Sequence, residues 1–161
     1  MKTTWRLSHA RGYLALGLYD EAESELDAVK SPDSELPEVL ALRASILQHR
    51  GQWLLLRPVA AELVRIQPEE AGWWITWAYA TRRAESLHAA EAILREAEII
   101  HPDEPTVQFN LGCYACQRGD LTEAGRRVRR AVVLDASFLE LARTDADLAA
   151  LRASGFDPGR D

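Results

Sequence analysis

Apolar residues recur every three to four positions along almost the whole chain, and polar residues fill the positions between them. This spacing is typical of amphipathic helices that bury one face. Short polar turns interrupt the pattern, for example around Gly51 and Gly119, and each turn lies between two helical stretches. The pattern therefore predicts an all-α chain made of successive helical hairpins.

The hairpin pattern repeats with one constant step, which is the distance along the sequence from Gly17 to Gly51. A column of small residues keeps this step through the chain: Ala10, Ala44, Ala78 and Gly112. A second column and a pair of prolines keep it too: Ala22, Leu56, Ala90 and Ala124, with Pro68 and Pro102. Small residues let two helices approach closely, and proline ends a helix because it has no N–H to donate. One hairpin cannot cover its own apolar face, so we expect neighbouring hairpins to stack.

The last full repeat carries the most distinctive motifs: Leu111-Gly112, Gly119-Asp120 and Glu123-Ala124. Together with the constant step, they resemble the tetratricopeptide repeat, whose unit is about 34 residues long. The resemblance implies a right-handed superhelix (an α-solenoid) of about four helix-turn-helix units. The expected divisions are units at 3–36, 37–70, 71–104 and 105–136, a C-terminal capping helix over 137–153 and a frayed tail over 154–161. The stretch 110–117 is also similar to one in short bacterial proteins of this family.

In tetratricopeptide proteins the first helices line a concave groove that binds a peptide or protein segment. The resemblance assigns this role to the following residues: Arg11, Ser45, Gln48, His49, Ile75, Tyr79, Arg82, Arg83, Phe109, Asn110, Cys113 and Gln117. The set mixes aromatic anchors with arginines, which are enriched where few contacts carry most of the binding energy. The clamp by which some family members hold a chaperone's C-terminal carboxylate is not reproduced. A different acidic or C-terminal peptide remains an option, as does a groove filled by the chain's own tail.

Three positions depart from the repeat pattern or mark the ends of helices. Pro58 falls inside the second helix of the second unit and predicts a kink or a late start there. Trp53, which opens the same helix, is either a packing residue or a surface anchor. Ser137 is a candidate N-cap for the capping helix.

The composition and the motifs of the chain limit the classes of function that it fits. The chain has 161 residues and a formal net charge of −6, which argues against nucleic acid as its main partner. No apolar run approaches the roughly 20 residues that cross a bilayer, and no secretory signal is visible, so we expect a cytoplasmic protein with no membrane partner. Nucleophile elbow, glycine-rich phosphate loop and HExxH motif are all missing, so we expect no enzyme and no cofactor.

Two clusters leave alternatives open. Cys113 and Cys116 form a CxxC in mid-helix, without the two further ligands that a zinc site of this kind needs, and packing is the favoured interpretation. Thiol regulation or metal binding by this pair is the alternative. The arginine run over 126–130 is either solvated or contacts an acidic partner. Because the second helix of the first unit is acidic, weak head-to-tail self-association is conceivable, and otherwise we expect a monomer.

The sequence thus predicts a non-catalytic scaffold for protein–protein interaction. Three alternatives remain. One is a chaperone for a secreted client, similar to small acidic secretion chaperones built from such repeats. The others are a thiol or metal sensor that uses the CxxC, and a structural subunit that assembles with itself.

Overall fold

The computed structural model describes residues 2–160, and every regular element in that range is helical, which confirms the prediction of an all-α chain. Eight longer helices are followed by two short ones. Their bounds are α1 (Thr3–Ala15), α2 (Tyr19–Asp27), α3 (Pro37–His49), α4 (Trp53–Ile66), α5 (Ala71–Ala84), α6 (Leu87–Ile100), α7 (Pro105–Gln117), α8 (Leu121–Leu134), α9 (Phe138–Thr144) and α10 (Ala149–Ala153). Two short 3₁₀ turns lie at Asp33–Glu35 and Ala146–Leu148.

The helix starts keep the constant step seen in the sequence. The odd-numbered helices from α1 to α7 are evenly spaced by that step, and so are the even-numbered helices from α2 to α8. Gly17, Gly51 and Gly119 follow α1, α3 and α7, and each has a positive φ of 64° to 85°. Glycine adopts this left-handed conformation at little cost, so it reverses the chain directly after a helix.

The chain divides into two compact units between Ala84 and Glu85. One unit contains α1 to α5 and the other contains α6 to α10. This division falls inside the segment 71–104 that the sequence groups as one repeat, so the predicted grouping of helices into repeats remains a prediction.

The core of the first unit is built from small and branched residues at the repeating positions. Ala10, Ala22 and Leu26 are fully buried where α1 packs against α2, together with Val39 and Ile46 of α3. A second cluster joins the next three helices through Ala44 of α3, Leu56 and Leu63 of α4, and Ala80 of α5. As a result α4 packs against both α3 and α5, and these three helices hold the candidate site.

The bounds of α4 test the expectation that Pro58 delays the start of this helix. Pro58 lies inside the helix, yet α4 begins at Trp53, so the expected late start is wrong. The preceding turn, which runs through the left-handed Gly51, starts the helix more than one turn before the proline. Pro58 lies on the exposed side of α4, where water can hydrogen-bond the carbonyl that loses its partner.

In the second unit, α7 and α8 pack closely at Gly112. A Cβ atom at this position would lie 3.0 Å from Val128 Cγ2 and 3.3 Å from the carbonyl oxygen of Ala124. Small size is therefore required here, as the column of small residues suggests.

A buried polar network joins α6, α7 and α8. Arg127 of α8 is only 3% exposed, and its guanidinium donates to Glu98, Glu123 and Gln108 at 2.6, 2.9 and 2.8 Å. The arginine run over 126–130 is therefore not a uniformly solvated face. Burial alone would raise the pKa of Glu123, but hydrogen bonds from Arg127 and Arg95 outweigh burial and lower that pKa to about 2.

The predicted capping helix over 137–153 is not continuous. The structure has α9 and α10 there, separated by a break at Asp145, whose backbone is extended with φ −62° and ψ 126°. The Asp145 carboxylate accepts the main-chain N–H of Asp147 at 2.8 Å, a local hydrogen bond that competes with helix formation. Ser137 precedes α9, but its side chain makes no capping hydrogen bond.

Candidate peptide-binding site

A cavity of about 450 Å³ opens between α3, α4 and α5 in the first unit. It is lined by Gln48, His49, Trp53, Leu56, Ile75, Thr76 and Tyr79. Four of these residues, Gln48, His49, Ile75 and Tyr79, are among those that the sequence assigns to a groove. Because α3 and α5 both pack on α4, their exposed faces form the two sides of this depression.

Aromatic rings form one wall of the cavity. The rings of Trp53 and Tyr79 meet edge to face, with centroids 5.2 Å apart and planes at 79°. Tyr79 is nevertheless 42% exposed, so a large part of its surface is open to a ligand. The guanidinium carbon of Arg83 lies 5.6 Å from the centroid of the Trp53 ring, within range of a cation–π contact. The wall therefore pairs aromatic surface with a positive charge.

Polar groups at the rim are partly oriented by the main chain. His49 Nδ1 lies 2.8 Å from the carbonyl oxygen of Ser45, so Nδ1 carries the proton and donates it to that oxygen. The opposite ring nitrogen, Nε2, then accepts a hydrogen bond when the ring is neutral. The ring of Tyr19 packs on that of His49, with centroids 5.3 Å apart. Gln48 is exposed beside it and offers both an amide donor and an acceptor.

The cavity thus combines an apolar floor from Leu56 and Ile75 with aromatic and polar walls. Pockets that bind peptide side chains have this composition, because apolar contact supplies affinity and a few polar groups fix orientation. The remaining groove residues predicted in this unit lie on the same helices or on α1. Arg11 is exposed on α1, whereas Ser45 on α3 and Arg82 on α5 are half-buried.

In the second unit, the chain's own C-terminal segment covers the groove positions of α7. Phe109 is 4% exposed, and its ring lies 5.1 Å from that of Phe138 in α9. Gln117 Nε2 donates to the carbonyl oxygen of Asp147 at 2.9 Å. Cys113 is 3% exposed and Asn110 is half-buried. Phe109 and Cys113 therefore do not line an open groove, because the chain's own C-terminal segment packs against them, which is the alternative that the sequence left open.

Sequence reasoning did not assign three residues of the cavity to the groove. Thr76 lies beside the predicted Ile75 on α5, and Leu56 fills a repeat column where alanine is usual. The sequence leaves Trp53 as either a packing residue or an anchor; in the structure it packs on Tyr79 and also lines the cavity, and its role as an anchor stays a prediction. In the sequence, Leu56 could have been singled out by its size, because the equivalent residues in the other repeats are alanines.

No protein-family model and no curated protein matches this sequence. Solved structures do match. MamA superposes with a TM-score of 0.79 at 15% identity, over 96% of this chain and 84% of MamA. TTC0263, a thermophilic TPR protein of Thermus thermophilus, gives 0.66 at 19% identity, over 98% of this chain and 93% of its own. YrrB, described as a TPR protein with an unusual peptide-binding site, gives 0.70 at 14% identity, over 95% and 74%.

These likenesses establish the fold. The chain has the tetratricopeptide-repeat fold, an α-solenoid of helix-turn-helix units, as the sequence predicts. Within residues 2–160, none of the helices combines the length and the apolar character needed to pass through a bilayer.

Proposed function

We propose that this protein is a non-catalytic scaffold for protein–protein interaction, which binds a peptide segment in the cavity between α3, α4 and α5. The observation that carries the proposal is the meeting of Trp53, Tyr79 and Arg83 beside an opening of about 450 Å³. Tryptophan, tyrosine and arginine are the residue types enriched at binding hot spots. The peptide-binding site named for YrrB supports a similar use of this fold.

The proposed ligand carries an apolar or aromatic side chain next to a carboxylate. The apolar side chain would contact Ile75 and Tyr79 inside the cavity, above the fully buried Leu56. The Arg83 guanidinium lies over the Trp53 ring, and its N–H groups are donors that pair well with a carboxylate. Either an acidic side chain or a C-terminal carboxylate at this position could accept hydrogen bonds from Arg83.

A cytoplasmic location is part of the proposal. Cys113 and Cys116 are buried and form no disulfide, as expected in a reducing compartment.

The test is selection of peptides from a random display library, followed by calorimetry with the enriched peptides. Tyr79→Ala and Arg83→Ala should each weaken binding at least about tenfold, because truncation of a hot-spot residue costs about 2 kcal/mol or more and about 1.4 kcal/mol already corresponds to a factor of ten. Arg65→Ala is the matched control, since Arg65 also lies in this unit but pairs with Glu62 outside the cavity. Equal affinity for all four proteins would move the binding site away from the cavity.

A further inference from the structure

A thiol and two carboxylates meet where α7 contacts the C-terminal segment. Cys113 Sγ and one carboxylate oxygen each from Asp145 and Asp147 all lie within 4.8 Å of one another. Cys113 is buried, and both aspartates are half-buried. Two segments that are far apart in the sequence therefore bring one sulfur and two oxygen donors to one point.

The local structure holds these groups in place. Asp145 ends the helical geometry of α9, and one of its carboxylate oxygens accepts the N–H of Asp147, which leaves the other oxygen for a further ligand. Gln117, one turn after Cys113 on α7, donates to the carbonyl oxygen of Asp147. These two hydrogen bonds hold the main chain at Asp147 against α7 and orient the Asp145 carboxylate.

The electrostatics of this cluster favour a cation. Two carboxylates lie near a thiol that ionises when it binds a metal, and Asp145 forms no ion pair in the part of the chain that the structure describes. Arg152 approaches the turn, but its Nη1 donates to the main-chain oxygens of Ala142 and Asp145, at 3.2 and 2.7 Å. A divalent ion between the three side chains would offset most of the negative charge that the thiolate and the two carboxylates carry.

We propose that Cys113, Asp145 and Asp147 bind one divalent ion of the zinc class, with water as the fourth ligand. A thiolate selects zinc-like ions over magnesium and calcium, which prefer all-oxygen sites. Around a tetrahedral zinc the donor atoms would lie roughly 3.5 Å apart, so side-chain adjustments of about 1 Å from the present spacing suffice. The thiol releases its proton to solvent on binding.

This site differs from the one that the CxxC motif suggests. Cys116 is also buried on α7, but it is not a member of the cluster. The two missing ligands come instead from the break between α9 and α10, which the sequence pattern did not reveal. An ion bound here would link α7 to the segment that covers its groove positions.

Titration of the reduced, metal-free full-length protein with Co²⁺ tests the proposal. Wild type and Cys116→Ser should bind one equivalent of Co²⁺ and develop a thiolate-to-cobalt charge-transfer band in the near ultraviolet. The band should disappear in Cys113→Ser. Asp145→Asn and Asp147→Asn should weaken Co²⁺, and Zn²⁺ in a competition assay, at least about tenfold. No band in the wild type, or a band lost only with Cys116→Ser, would overturn the proposal.

Thermal unfolding with and without Zn²⁺ separates loss of binding from loss of folding. Asp145→Asn keeps an oxygen that can accept the Asp147 N–H, so this variant should retain wild-type helicity and melting temperature without metal. Zn²⁺ should raise the melting temperature of the wild type and of Cys116→Ser, because a ligand that binds only the native state stabilises it. An equal increase for Asp145→Asn and Asp147→Asn would contradict ligation by these carboxylates.

Discussion

At the scale of single residues, Gly112 lies where α7 and α8 leave no room for a methyl group. Gly112→Ala should lower the free energy of unfolding by about 1 kcal/mol, because overpacking costs about 1–3 kcal/mol and the better helix propensity of alanine offsets part of that cost. The methyl group would press on Val128, which is fully buried, and on a main-chain oxygen, so neither neighbour moves easily. Urea denaturation measures the change.

Gly12 provides the matched control, because it also lies inside a helix but has no atom within 4 Å of its would-be Cβ. Gly12→Ala should raise the free energy of unfolding by about 0.5–1 kcal/mol. Stabilisation by both substitutions would show that the close approach of α7 and α8 at Gly112 does not limit the free energy of unfolding.

Glu123 makes stability depend on pH. Its pKa is lowered from 4.5 to about 2 in the folded protein, so its contribution is fully present above pH 4.5. As the pH falls from 4.5 toward 2, the unfolded chain takes up a proton on this carboxylate before the folded protein does, and the contribution is lost. We therefore expect a wild-type stability that declines through this range in urea titrations.

Glu123→Gln should already be destabilised at neutral pH, by about 2 kcal/mol, because Arg127 and Arg95 lose a charged acceptor. The variant should also show a shallower decline in stability below pH 4.5. Parallel pH profiles for the two proteins would mean that other carboxylates determine the acid response.

At the scale of helices, Ser86 and Ser137 occupy equivalent positions but differ in their contacts. Ser86 Oγ accepts the N–H of Ala89 at 3.1 Å at the start of α6, whereas Ser137 makes no such bond before α9. Ser86→Ala should cost about 1 kcal/mol and Ser137→Ala only a few tenths. Thermal unfolding of both variants checks this, and equal losses would contradict the assigned cap.

The helices themselves were well predicted, because their starts and turns depend on local chemistry that repeats. Gly51 and Gly119 mark chain reversals, and the constant step recurs in the helix starts. The break at Asp145 was missed for a physical reason. Apolar residues keep helical spacing through it, while the Asp145 side chain accepts the N–H of Asp147, a local hydrogen bond that competes with helix formation.

At the scale of the whole molecule, the resemblance to the tetratricopeptide repeat predicted which residues share a face but not what covers that face. Gln48, His49, Ile75 and Tyr79 were placed together from repeat positions, and they line one cavity. Phe109 has the same kind of repeat position, yet Phe138 packs on it. Contacts of this kind join segments that are far apart in the sequence, so the local pattern of apolar residues does not predict them.

Photo-crosslinking of a selected peptide tests the location of the binding site most directly. A benzophenone group replaces the apolar side chain of the peptide, and mass spectrometry identifies the protein residues that it labels. We expect labels on α3, α4 and α5, around Gln48, Trp53 and Tyr79, and loss of labelling with excess unmodified peptide. Labels confined to residues outside these three helices would contradict the proposed site.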